Sequence, residues 1–360
     1  MCPPAPSAPR TYVTLDGLRG IAALSIVLLH CFRFFGDFTW SSVALAVDLF
    51  FVLSGFVLAH AYEAKLPTGA AAFVKARVIR LYPLYLVGTL LGIIEALAAI
   101  HYGKGSIDWT WHKFWSALPF ALVMLPTPGA MFPFNGVMWS IFFELFINVI
   151  WAAFWRPLQS TGTMVAVILL SAGGLAVSVI WWGTLTGLGT SWGTFAGGAF
   201  RVSYSFFLGV LLYRLHKRIP LPKLPPWLLF VALPAILFLP LSTPARLAVA
   251  VLVLPWFVLL GSQVEPRGII AAAAHQLGIA SYAIYSVHKR LYLLSYAAVL
   301  QLLSLDLQLF APWIGVAFLA ALVPACLLLN HFIDQPARRS LAKWFGTSLV
   351  TERKNATQAP

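Results

Sequence analysis

The chain has 360 residues, 60% of them hydrophobic and 10% charged, with a formal net charge of +13 and a mean hydropathy of +0.86. A soluble domain carries about 25% charged residues, so this composition excludes a water-soluble fold and calls for a bilayer as solvent. The basic residues flank apolar runs and do not interleave with aromatic ones, which argues against a nucleic-acid partner.

Residues 1–9 are rich in Pro and Ala and lack a basic run, so the first apolar stretch reads as a retained helix and not as a cleaved leader. Apolar segments then follow at 18–36, 42–62, 81–101, 114–125, 137–155, 162–182, 199–215, 227–241, 245–262, 277–302 and 309–331. A spanning helix needs about 20 apolar residues, so 114–125 is too short to cross. With that segment dipping in and the N-terminus cytoplasmic, most cations fall inside. They include Lys65, Lys75, Arg77, Arg80, Arg156, Arg214, Lys217, Arg218, Lys223, Arg267 and the tail cations from Arg338 onward. Only Arg33, Lys104, Lys113, Arg201 and Arg246 fall outside. The expected fold is therefore an all-α polytopic transmembrane bundle of about ten spanning helices plus one short non-crossing helix. It comprises a cytoplasmic tail at 1–14, a membrane domain at 15–339 and a cytoplasmic tail at 340–360. Residues 63–80 are expected to form a loop. Cys2, Cys31 and Cys326 have no paired spacing, so neither a disulfide framework nor a metal site is expected.

Charged side chains inside apolar segments cost several kcal/mol unless they face protein or water, so each is a functional candidate. Arg19 and His30 lie eleven residues apart in the first segment. At about 100° and 1.5 Å per residue they share one helix face, roughly 16 Å apart. Imidazole is the natural general base for a hydroxyl; the structural alternative is a snorkelling arginine and a histidine bonded to a neighbouring helix. In the second segment Asp48 precedes Ser54 and Gly55, and it either orients a histidine or pairs with an arginine. Arg77 and Arg80, at i and i+3, form a doubled fork suited to phosphates, or else an ordinary basic flank. Ser140 and Glu144 share a face below Trp139. Arg201 falls at the outer end of its segment, and Tyr282, His288, Lys289 and Arg290 fall in the tenth, while Glu95 in the third could pair with one of these cations. No Walker loop, dinucleotide fingerprint, G-x-S-x-G elbow or H-E-x-x-H motif is present.

Taken in order, the stretches LDGLRGIAAL (15–24) with His30, VDLFFVLSGF (47–56), RVIRLYP (77–83), WSIFFE (139–144), FFLG (206–209) and SYAIYSVH (281–288) resemble the acyltransferase-3 family. These are membrane-bound acyltransferases that O-acetylate bacterial surface polysaccharides and related acceptors. The resemblance implies a cytoplasmic acyl-CoA donor, typically acetyl-CoA, and a glycan or lipid-linked sugar acceptor on or beyond the outer face of a bacterial inner membrane. By motif match Arg19 and His30 correspond to the family's arginine-to-histidine pair of the first helix, Arg77 and Arg80 to its paired arginines, which suggests contacts with the coenzyme A phosphates, and Glu144 to the carboxylate of its tryptophan-serine motif. The catalytic set expected here is His30, Asp48 and Glu144, with Arg19 beside Arg77 and Arg80 on the phosphates, Trp139, Ser140, Arg201, Tyr282 and His288 at the substrate, and no metal. The sequence departs from the family at Lys289-Arg290, which follow His288 where apolar residues are usual, and at Asp334, where Glu is usual. The rival expectation is a proton-coupled transporter or flippase of a lipid-linked glycan, with His30, Asp48, Glu144 and His288 as its relay.

Overall fold

The computed structural model describes residues 12–103 and 107–346; most of the two expected tails lies outside that range, as do Cys2, Lys104 and the cations beyond residue 346. All regular structure among the described residues is helical. In chain order the helices are α1 (Val13–His30), α2 (Ala46–Tyr62), α3 (Leu66–Tyr102), α4 (Trp111–Leu122), α5 (Trp139–Ala153), the single turn α6 (Trp155–Leu158), α7 (Thr161–Trp182) and α8 (Phe195–Leu215). There follow α9 (Pro226–Leu237), α10 (Thr243–Ala248), α11 (Leu254–Gly261), α12 (Gly268–Leu303), α13 (Trp313–Leu329) and α14 (Gln335–Trp344). Eight helical stretches among the described residues are long and apolar enough to cross a membrane; one of them, Ser41–Tyr102, contains both α2 and α3, and Pro226–Leu237 is a shorter apolar helix. Ile180 and Trp181 on α7 are 82% and 80% exposed, a surface that only lipid covers favourably. The protein is an all-α polytopic membrane bundle.

The order of contacts along α1 gives the bundle two ends, one at Arg19 and one at His30. At the histidine end, Ser42 lies just before α2 and its Oγ accepts from Leu241 N at 3.2 Å. At the arginine end, Glu63 closes α2 with an ion pair to Arg214 of α8 at 2.5 Å. Helix α3 carries Arg77 and Arg80 near the arginine end and Glu95 to the histidine end, where Glu95 pairs with Arg290 of α12. Helix α4 dips inward until Leu122 O accepts from Tyr82 Oη at 2.9 Å. The chain then climbs back, and Asn135 Nδ2 donates to Ser286 O at 2.9 Å. Twelve residues make about 18 Å of helix against a hydrocarbon core of about 30 Å, and it is the return of the chain to Ser286 that marks α4 as entering without traversing. Helix α9 is equally short, yet it starts beside Gly17 of α1, where Phe230 packs, and ends near Ser42. Helices α10 and α11, joined by a π-helical stretch Val249–Val253, bring the chain back to Leu15 and Leu18.

Two expectations change. Residues 63–80 are mostly helical, because α3 begins at Leu66 and bends at Gly69 without ending. The tenth segment is likewise longer at its start, with α12 beginning at Gly268. Hydropathy reports only the part of a helix in contact with lipid, and the backbone ladder continues past it.

Close packing rests on small residues. The α2–α8 crossing brings Gly55 and Gly209 together. A Cβ on Gly55 would lie 2.0 Å from Phe206 O, and one on Gly209 would lie 2.2 Å from Val52 O. Only glycine permits that approach, and it is what sets Asp48 against Arg201 about two turns along.

Candidate active site

A cavity of about 150 Å³ lies between α1, α2, α3, α5 and α12. Its polar wall consists of Arg19, Ser54, Arg77, Arg80, Ser140, Glu144, Ser281, Tyr282 and Tyr285, and its apolar wall includes Phe50, Phe51 and Val57. All three arginines predicted to meet phosphate therefore converge, although Arg19 is more than fifty residues from the other two.

Each arginine is aimed by a carboxylate. Arg19 Nη2 lies 2.5 Å from Asp16 Oδ1, and its Nε donates to Ser281 Oγ at 3.1 Å. Arg77 Nη2 donates to Glu144 Oε1 at 2.6 Å, and the same oxygen accepts from Ser54 Oγ at 3.0 Å. Arg80 Nη1 lies 3.2 Å from Asp334, which also pairs with Arg338 at 2.8 Å. The Nε of Arg77 is buried and has no hydrogen-bond partner among the described residues. A guanidinium offers five donors, so a forked anion can bind without displacing Glu144. The donor set suits a phosphorylated ligand.

Behind this wall, and between its own hydroxyl groups, further polar contacts fix the site. Asp48 and Arg201 make a bidentate pair, with Nε and Nη2 each 2.7 Å from a carboxylate oxygen. Both side chains are essentially excluded from solvent. Arg201 Nη2 also reaches Ala44 O at 3.2 Å, and the guanidinium lies 5.6 Å from the Trp139 ring centre. Ser140 Oγ and Tyr285 Oη are 2.5 Å apart, and Tyr282 Oη donates to Leu81 O at 2.6 Å.

His30 stands away from this cavity, as its position three turns along α1 requires. Its Nδ1 lies 3.1 Å from His288 Nε2. Asp48 is held by Arg201, so of the two alternatives left open by the sequence the arginine pair is the one formed. Glu95 pairs with Arg290, which accounts for one of the two cations that depart from the family pattern. Of the predicted residues, Arg19, Arg77, Arg80, Glu144, Ser140 and Tyr282 line the cavity, Asp48, Arg201 and Trp139 back it, and His30 and His288 form a separate pair. Sequence reasoning missed Asp16, Ser281 and Tyr285. Their signals were present: Asp16 is i, i+3 from Arg19, and Ser281 and Tyr285 are i, i+4 on α12. Among the described residues no group of three or more His, Cys, Asp or Glu side chains could hold a metal ion, and Cys31 and Cys326 are free and buried.

The fold and site define a class: a polytopic helical membrane bundle with an arginine-walled chamber and a histidine farther along the same helix. The chain belongs to the acyltransferase-3 family, whose model, described as an acyltransferase domain, matches residues 12–331. It is 41% identical over 181 residues to "Protein 2 in picA locus" of Rhizobium radiobacter, an alignment covering 46% of this chain and 93% of that one. It is 31% identical over 179 residues to "Acyltransferase MdmB" of Streptomyces mycarofaciens, covering 46% of this chain and 44% of that one, so the match takes in less than half of MdmB. No solved structure matches. The protein is a membrane acyltransferase.

Proposed function

We propose that this membrane acyltransferase moves an acyl group, acetyl in the first instance, from acyl-CoA in the cytoplasm to a sugar hydroxyl of a surface glycan or lipid-linked sugar. The observation that carries this reading is the convergence of Arg19, Arg77 and Arg80 on one chamber, with His30 on the same helix as Arg19. In this reading the arginines take the phosphates of coenzyme A, and Glu144 keeps Arg77 and Ser54 in register. Ser140, Tyr282, Trp139 and Arg201 shape the path of the acyl arm. His30 accepts the hydroxyl proton as the hydroxyl oxygen attacks the thioester carbonyl. The carbon–sulfur bond breaks, and the departing thiolate takes that proton to leave as free coenzyme A.

The transporter reading needs carboxylates free to load and release protons along a relay. Asp48 and Glu144 are instead bound to Arg201 and Arg77 at 2.7 and 2.6 Å, an arrangement suited to fixing guanidinium groups. The test is thiol release from acetyl-CoA by protein in liposomes supplied with bacterial-envelope glycan. Wild type releases thiol, and His30→Ala is slower by about 100-fold or more while still binding coenzyme A. Arg77→Ala raises the acetyl-CoA KM. A wild type that neither consumes acetyl-CoA nor binds coenzyme A, but accumulates glycan under a proton gradient, would overturn the acyltransfer reading.

A further inference from the structure

We infer that His288 is the positioning residue of His30: it fixes the ring and selects the tautomer in which His30 Nε2 is the basic nitrogen. This inference rests on His30 acting as the base.

His288 Nδ1 lies 2.9 Å from Ile284 O and 2.9 Å from Tyr285 O, the carbonyls one turn back on its own helix. Carbonyl oxygens only accept, so Nδ1 carries a proton and donates to both. In the neutral imidazole the other nitrogen, Nε2, is then a lone pair. That lone pair is 3.1 Å from His30 Nδ1. Two lone pairs at this distance repel, so the proton between the rings resides on His30 Nδ1. His30 Nε2 is left as its acceptor. The chain of assignment thus runs from a rigid helix backbone, through His288, to the nitrogen that takes the substrate proton. When Nε2 is protonated in the reaction, the resulting imidazolium still donates Nδ1–H to neutral His288, a charge-assisted bond that strengthens as charge develops.

The fold supports this geometry along the whole α1–α12 contact. The two helices pack from Asp16 and Gly278, through Arg19 and Ser281, to His30 and His288. His288 is fully buried, and its side chain is held at both nitrogens. The other titratable or charged groups in this layer are Cys31, which follows His30, Lys289 on α12, and the Arg290–Glu95 pair between α12 and α3. Among the described residues no carboxylate lies within hydrogen-bond reach of His30, so the role an acidic group often fills for a histidine base falls to a second histidine, beside the Ile26 backbone carbonyl one turn back on α1.

Gln at position 288 can present an acceptor oxygen where Nε2 stood, whereas Asn is too short to do so and can only restore the donation at Nδ1. The experiment compares His288→Asn and His288→Gln in the acetyl-CoA and envelope-glycan assay, with coenzyme A binding and gel-filtration profile as controls for folding. His288→Asn is expected to lower kcat about 100-fold with the acetyl-CoA KM changed less than about threefold, and His288→Gln to recover at least about tenfold of that loss. Should the Asn variant misfold, His288→Met, similar in length to Gln but without an acceptor oxygen, takes its place. Equal activity of the Gln and Asn (or Met) variants in folded protein would overturn the inference. So would an effect confined to the KM for the glycan, since His288 would then be a substrate contact. A His30→Ala protein with wild-type turnover refutes the base reading itself; a silent His30→Ala beside equal Asn and Gln variants refutes only the positioning by His288.

Discussion

Asp48 and Arg201 show what a single buried pair does here. Taking two charges into a low-dielectric interior is costly, and the expense is offset only when each finds the other in good geometry. The bidentate contact at 2.7 Å does so, but it makes each partner dependent on the other. Asp48→Ala leaves a buried, uncompensated guanidinium and is expected to destabilise the protein by about 3–5 kcal/mol, read as a lowered thermal midpoint in detergent. The double variant Asp48→Leu/Arg201→Met removes both charges and should recover most of the midpoint while remaining inactive. An active double variant would make the pair structural only. The sequence marks both residues as candidates because each is an ion in an apolar segment. It does not say who holds whom, since the partners are 153 residues apart and their meeting depends on which helices are neighbours. The same gap made Asp48 a candidate to orient His30, where the structure sets His288, whereas Asp16 with Arg19 is legible because three residues bring two side chains to one helix face.

At the scale of elements, small residues decide which helices approach closely enough for such pairs to form. Gly55 and Gly209 face each other across α2 and α8 with no room for a methyl group. Gly209→Ala must push α8 away from Val52 O, and the expected loss is about 1–3 kcal/mol or more, since backbone cannot yield as a side chain can. Gly173 on α7 has nothing within 4 Å of its would-be Cβ, so Gly173→Ala should be neutral or stabilising by up to about 1 kcal/mol. Thermal midpoints of the two variants measured side by side test the contrast; equal losses would show that the α2–α8 crossing is not sensitive to close packing. Segment positions were readable from hydropathy because lipid contact selects apolar residues. Helix lengths were not. Helix α3 extends below its apolar part to carry Arg77 and Arg80, and polar residues on a helix outside lipid look like a loop to any hydropathy scale.

For the whole molecule, we propose that the chain passes ten times between the arginine and histidine ends, the number expected from charge bias. Eight helical stretches among the described residues are long and apolar enough to cross, one of them holding both α2 and α3. The decisive helix is α9. With 12 residues it is no longer than α4, and length alone would treat the two alike. Their neighbours separate them, because α4 returns to the end from which it entered, while α9 begins beside Gly17 and the chain after it reaches Ser42. Between Asp108 and Arg339 the chain then makes seven passes, through α5, α7, α8, α9, α10 with α11, α12 and α13. An odd number sets the two residues on opposite sides of the bilayer. Asp108 has a side chain 93% exposed, and Arg339 is exposed on α14, so both accept a cysteine. In a Cys2→Ser background, with Cys31 and Cys326 buried, Asp108→Cys should react with a membrane-impermeant thiol reagent in intact cells. Arg339→Cys should react only after permeabilisation, as the excess of cations at the arginine end requires if that end faces the cytoplasm. Labelling of both from outside would mean that α9 does not cross and would put the tail and the arginine chamber on different sides. The reverse labelling would keep the ten passes but turn the arginine chamber outward, where no coenzyme A ester is supplied, and the proposed donor would have to be abandoned.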